Sequence, residues 1–210
     1  MKGLFGRIKQ PATTREGDER TDSVLFSTAF ADQGVDPSML VPWEARANEV
    51  GAKRFPSPRA IKLLQGLWAK DKYMSRLSSD SVRQLEQFFD FATVPANRDI
   101  IRQDEYGNFM IVLLTGHIAV DRVQPWGERM RLTETRAGDI LGEMSLLDSG
   151  RRFSVCTSLT ECDIAVLSAQ SLDEMIGVNP ALAASLVALL ARKLSLRLRM
   201  VSARLNEKKN

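Results

Sequence analysis

The stretch A-G-D-I-L-G-E-M-S-L-L-D-S-G-R-R-F-S-V-C-T, Ala137 to Thr157, concentrates the chemistry of this 210-residue chain. A turn, Ala137-Gly138-Asp139, leads into a Gly-Glu pair, Gly142 and Glu143. A short apolar run, Met144 to Leu147, is followed by a small polar loop, Asp148-Ser149-Gly150. Arg151 and Arg152 then open a strand-like segment, Phe153 to Thr157. A short loop bounded by glycines can turn backbone N–H groups inward and form a nest for an anion. An arginine at its far end meets a phosphate with paired, charge-assisted hydrogen bonds. A carboxylate at its near end accepts from hydroxyls such as those of a ribose. Together these parts suit a sugar phosphate.

Working outward, the chain on both sides of this loop has the texture of short strands and turns. Phe89 to Val94, Asp99 to Arg102, Phe109 to Leu114, His117 to Val123 and Arg129 to Thr135 alternate in part between apolar and polar residues. Ser154 to Ser158 and Asp163 to Leu167 do the same after the loop. Turn signals stand between them: Pro95-Ala96-Asn97, Tyr106-Gly107-Asn108, Thr115-Gly116 and Pro125-Trp126-Gly127. Short strands at this spacing predict a mainly β fold with flanking α: an antiparallel β-roll or jelly-roll barrel with helices at both ends. Ser78 or Ser79 caps a helix whose apolar face is Val82, Leu85, Phe88 and Phe89. Ser168 to Gly177 reads as helix, and Pro180 sits in the first turn of a long last helix, Ala181 to about Asn206. Leu186, Leu190, Leu194, Leu198, Val201 and Leu205 follow steps of four and three along it, a seam suited to a partner helix.

The block as a whole resembles the cyclic-nucleotide-binding domain family, found in catabolite activator proteins and in regulatory subunits of cyclic-AMP-dependent kinase. The family pattern is roughly F-G-E-L-A-L-x-x-x-x-P-R-A-A-T. Gly142 and Glu143 match its Gly-Glu pair and Met144-Ser145-Leu146-Leu147 its short helix. Arg152 falls on the phosphate arginine, with Arg151 where the proline usually sits. Y-G-N-F-M-I-V-L-L-T-G-H-I-A-V, from Tyr106 to Val120, looks like the family's glycine-punctuated strand pair, and Gly107, Gly116 and Gly138 fall where its glycines fall. The resemblance implies that Glu143 binds a ribose 2′-hydroxyl and Arg152 the cyclic phosphate. It implies a ligand-contacting set of Gly142, Glu143, Met144, Ser145, Arg151, Arg152, Phe153 and Ser154, with no catalytic residue. The chain departs from the pattern at Phe153, where the family has a small residue or threonine. A large ring there must point away from the pocket, while Ser154 can still lend a hydroxyl. The missing threonine hydroxyl favours cyclic AMP over cyclic GMP. Arg197, with Leu198 and Val201, is the candidate for covering the base, Arg197 by stacking. Ile111, Leu113 and Leu141 are expected in the pocket wall.

Composition limits the alternatives. Hydrophobic residues make up 44% and charged residues 26% of the chain, which suits a globular protein with a sizeable core. No apolar run is long enough to span a membrane, and Met1 to Gln10 lacks the apolar centre of a signal peptide, so a cytoplasmic protein is expected. Met1, Leu4, Phe5 and Ile8 sit at helical spacing and can graze a membrane surface, with a frayed terminus as the default reading. Cys156, Cys162 and the single histidine, His117, complete no zinc set, and both cysteines read as small buried hydrophobes. No nucleophile–base pair stands out, so an enzyme is not expected. Charge is uneven: residues 76–185 carry ten arginines against sixteen acids, a net of −6. Residues 186–210 carry seven basic residues against Glu207, a net of +6.

Three segments are expected. Residues 1–75 form an N-terminal extension, part linker and part helix. Residues 76–180 form the β-roll with its flanking helices, and residues 181–210 a long helix serving as lid and dimerisation element. In the extension, Gln10 to Thr14 and Glu16 to Arg20 read as linker, and Val24 to Ala31 as a turn of helix. Glu44 to Val50 and Arg59 to Trp68 read as helices, the latter with Ile61, Leu64, Leu67 and Trp68 on one face. The extension's aromatics suggest that it packs on the body of the chain. The expected partners are a cyclic nucleotide, a second copy of the chain through the last helix, and an unidentified protein. Family transcription factors carry a helix-turn-helix domain after this helix; the few residues up to Asn210 lead us not to expect sequence-specific DNA binding. A module of the same fold that binds another nucleotide, such as cyclic di-GMP, or only proteins, is the alternative.

Overall fold

The computed structural model describes residues 25–207. The linker and amphipathic-terminus expectations for residues 1–24 lie outside the described residues. The chain enters through a one-turn helix, α1 (Ala29–Asp32), and then α2 (Trp43–Val50), a two-residue strand β1 (Lys53–Arg54) and α3 (Ser57–Trp68). Pro58, in the first turn of α3, has no N–H to leave unpaired there. Ile61, Leu64 and Trp68 of α3 are buried, as their spacing predicts, and each contributes about 2 kcal/mol by leaving water. A short helix α4 (Ser79–Gln84) starts at Ser78, whose side chain accepts from the Ser81 N–H at 3.0 Å. It tightens into a 3-10 turn over Leu85–Phe88 instead of running on as regular helix.

Six strands and one short helix follow. They are β2 (Asp90–Val94), β3 (Asp99–Ile101), β4 (Phe109–Thr115), β5 (Ile118–Val123), β6 (Arg129–Thr135), β7 (Ile140–Leu141) and α5 (Glu143–Asp148). Then come β8 (Val155–Ser158), β9 (Cys162–Ser168), α6 (Ala169–Val178) and α7 (Pro180–Glu207). The strands form two antiparallel sheets, one in the order β1-β2-β9-β4-β7 and one in the order β3-β8-β5-β6. This is the expected β-roll with flanking helices and a long last helix.

Side-chain alternation along β4 shows why the sheets stack as they do. Phe109, Ile111 and Leu113 point into a core shared by the two sheets, with Ile118, Val120, Cys156, Ile164 and Val166. Met110, Val112 and Leu114 point the other way, into a second core beneath the helices. A strand buried on both faces reads as a continuous apolar run, as F-M-I-V-L-L does. Ile111, Leu113 and Leu141 are therefore filled core positions, not the wall of an open pocket; that expectation is corrected.

The extension packs on the barrel. Phe30, Trp43, Phe55 and Trp68 are all buried. Asp173 on α6 accepts from the Leu25, Phe26 and Ser27 N–H groups at 2.9, 2.9 and 2.8 Å, which ties down the start of the described chain. The first half of α7 belongs to the helical core through Leu182, Ala183, Leu186, Leu189 and Leu190. The leucine seam therefore divides. Leu186 and Leu190 are covered by their own chain, Leu194 is half-buried, and Leu198 is 67% exposed. The side chains of Val201 and Leu205 lie outside the described residues.

Candidate functional site

The loop between β7 and β8 is built around Gly142. Its φ of +77° is a left-handed conformation that favours glycine, and a Cβ added there would stand 2.6 Å from Arg152 Nη1. Gly107, in the loop before β4, closes the other side: a Cβ there would meet Arg152 Nε and Nη2 at 2.7 Å. Two glycines thus leave just enough space for one guanidinium. Arg152 fills it and is 3% exposed. Its Nη1 donates to the Gly142 carbonyl at 2.9 Å and its Nη2 to the Phe109 carbonyl at 2.6 Å, with the guanidinium over the Phe109 ring at 4.6 Å. Among the described residues no carboxylate lies within ion-pair distance of it. Burial lowers its pKa to about 10, so it still carries its charge at neutral pH.

Glu143 opens α5 and is 5% exposed. Arg197 reaches it from α7, with Nη1 2.6 Å from Oε1. Burial pushes the Glu143 carboxyl above its ordinary range, and the Arg197 charge opposes that shift. In this structure Arg197 is engaged with the acid rather than presented as a flat stacking surface. It also lines a cavity of about 430 Å³ together with Tyr73, Lys193, Leu196, Arg199 and Ala203. Lys193 adds an ion pair to Asp71 at 2.7 Å, so α7 is held against the segment before α4 as well as against the start of α5.

The remaining expected residues take different positions. Ser145 is buried and its carbonyl accepts from the Ser149 N–H at 3.1 Å, closing α5, while Met144 is exposed. Arg151 lies over the Tyr106 ring at 4.6 Å and donates to the Asp104 carbonyl at 3.2 Å. Phe153 is 54% exposed, with Arg122 over its ring at 4.4 Å, so the ring points outward and leaves the space beside Glu143 and Arg152 unobstructed by it. Ser154 is placed beside the Cys156 thiol, which burial pushes up to about 12. That thiol stays protonated and is no nucleophile at neutral pH. The structure thus gathers Gly142, Glu143, Ser145, Arg152 and Arg197 around one end of the barrel and sets Met144, Arg151 and Phe153 on its surface.

Residues 91–179 match the family model of the cyclic nucleotide-binding domain. That segment belongs to the cyclic nucleotide-binding domain family. Over 100 residues, the chain is 28% identical to the CRP-like cAMP-activated global transcriptional regulator of Mycobacterium tuberculosis, a match covering 48% of this chain and 45% of that protein. It is 32% identical over 101 residues to the cAMP-activated global transcriptional regulator CRP of Haemophilus influenzae, with the same two coverages. The matches span about half the length of these relatives. Among solved structures, a cyclic nucleotide-binding domain from Methylobacillus flagellatus superposes with a TM-score of 0.67 at 23% identity, over 75% of this chain and 89% of that one. The Thermus thermophilus catabolite activator protein does so with a TM-score of 0.52 at 25% identity, over 65% and 63%. The strands from β2 to β9, with α5 and α6, thus make up the matched segment, and α2, β1 and α7 lie outside it. Among the described residues no helix is long and apolar enough to cross a membrane.

Sequence reasoning missed two contributors. Arg46 of α2 is buried and paired with Glu105, and Tyr73 lines the cavity beside α7. Neither carries a motif. Arg46 sits on a helix whose sequence, W-E-A-R-A-N-E-V, shows no periodic signal that would single it out.

Proposed function

We propose that this protein is a non-catalytic cytoplasmic regulator that binds a cyclic nucleotide, cyclic AMP in preference to cyclic GMP, and signals through movement of α7. The observation that carries this reading is Arg152: a buried guanidinium with two carbonyl partners and no carboxylate among the described residues, inside a glycine-bounded cradle. Burying an unpaired charge is costly, and a phosphate oxygen arriving there offsets that cost with charge-assisted hydrogen bonds. Glu143 supplies the acceptor for a ribose hydroxyl. Arg197 joins that acceptor to α7, so a ligand that changes the Glu143–Arg197 contact changes what holds the helix. The available energy is the difference in ligand affinity between the two helix positions. The half-buried Leu194 and the exposed Leu198 make α7 the surface through which a second copy or a protein partner is reached. The preference for adenine follows from Phe153, which offers no hydroxyl where guanine-selecting relatives carry threonine.

A calorimetric titration of the purified chain with cyclic AMP, cyclic GMP and cyclic di-GMP tests this directly. Cyclic AMP is expected to bind tightest. Heat from cyclic di-GMP alone would favour the alternative reading of an altered site, and no heat from any of the three would leave a barrel that meets only proteins.

A further inference from the structure

Helix α2 lies outside the segment that matches the family, yet its side chains reach the surroundings of Arg152. Arg46 is 1% exposed. Its Nη1 pairs with Glu49 Oε2 at 2.5 Å and its Nη2 with Glu105 Oε2, while its buried Nε has no hydrogen-bond partner among the described residues. Glu105 belongs to the loop against which Arg152 is held. The Glu105 carbonyl accepts from the Arg152 N–H at 2.8 Å, and the Asp104 N–H donates to the Arg152 carbonyl at 2.8 Å. One residue further on, the Tyr106 carbonyl accepts from the Val41 N–H at 2.8 Å, just before α2 begins. Trp43 of α2 meets Phe109 edge-on, with centroids 5.6 Å apart, and the Phe109 ring in turn carries the Arg152 guanidinium. Backbone, ion pair and ring packing all run from α2 to the same arginine.

A surface ion pair that merely fastened a helix would not need a guanidinium removed almost wholly from water. Arg46 spans two carboxylates with two separate nitrogens, which a lysine cannot reproduce in that geometry. We infer that Arg46 is a positioning residue of the phosphate site: by gripping Glu105 it holds the 104–106 loop in the place that keeps Arg152 aimed under Gly107 and Gly142. This inference rests on the cyclic-nucleotide reading and adds α2 to the domain's ligand-binding apparatus.

The two roles open to this pair predict opposite signs at Glu105. If the pair only sets local charge, removing the Glu105 carboxylate makes the site more positive and tightens the binding of a phosphate. If it positions the loop, removing it weakens binding. The experiment is cyclic AMP calorimetry on the full chain, well below the melting temperature, with circular dichroism verifying that each variant is fully folded. Arg46→Gln and Arg46→Lys are both expected to weaken binding by about tenfold, and Glu105→Ala by a similar factor. Unchanged affinity in folded Arg46→Gln, or tighter binding by Glu105→Ala, would overturn the inference while leaving the nucleotide reading in place. If Arg46→Gln does not fold, Glu105→Ala, at the more exposed end of the pair, decides alone. A wild-type chain that binds no cyclic AMP would overturn the nucleotide reading and this inference with it.

Discussion

Glu143 and Arg152 share one end of the barrel under opposite electrostatic conditions. Arg152 keeps its charge despite burial because an arginine starts from so high a pKa that a fall to about 10 still leaves it protonated. Glu143 is raised, chiefly by burial, and the Arg197 charge opposes that rise. A carboxyl whose folded pKa lies above its unfolded value binds its proton more readily when folded, so its ionisation costs stability. That cost is full above the raised value and fades as pH falls toward the ordinary 4.5. Glu143→Gln, which can still accept from Arg197, is therefore expected to be at least as resistant to urea as wild type at pH 7, with its advantage shrinking on acidification. The same variant should bind cyclic AMP more weakly by roughly 1.5–3 kcal/mol, the range for a hydrogen bond to a charged group. A Glu143→Gln protein that was less stable at neutral pH, yet bound normally, would contradict both halves.

At the scale of elements, the strands were legible because glycine- and proline-marked turns cut the chain into short alternating runs; β2 to β6, β8 and β9 lie within a residue or two of their expected bounds. β1 and β7 were not legible, because two residues carry no period. They exist only through partners far along the chain, Ala92 and Thr93 for β1, Ile111 and Val112 for β7. The Gly-Glu pair and Arg152 were readable as a motif. That Arg197 would land on Glu143 was not, since helix phase across a separation of 54 positions depends on the packing of α7 as a whole. The wall residues Ile111 and Leu113 were misplaced because an apolar strand residue facing a pocket and one facing a filled core look alike in sequence. Along α7, Leu186 and Leu190 serve the chain's own core, whereas Leu194 is half-buried and Leu198 exposed, a division that the even leucine spacing does not reveal. Leu194→Glu with Leu198→Glu is expected to convert a dimer to monomer in light scattering with little loss of fold. A wild-type protein that is already monomeric, or a variant that still dimerises, would discard the helix as the contact.

At the scale of the molecule, one helical layer, two sheets and α7 converge on a single end of the barrel. Strand β4 is buried on both faces and presents the Phe109 carbonyl to Arg152. The extension approaches from one side through Arg46 and Trp43, and α7 from another through Arg197. The surroundings of the arginine and the acid thus include elements from both sides of the matched segment, the connection that the proposed signalling needs. All of this depends on Arg152 being held ready for an anion. The most direct test is a cyclic AMP titration of wild type beside Arg152→Ala. Wild type should saturate, and the variant should bind more weakly by roughly 2–5 kcal/mol, the range for removing one partner of a desolvated charge pair. Equal affinity in the two proteins would show that the buried guanidinium never meets the phosphate.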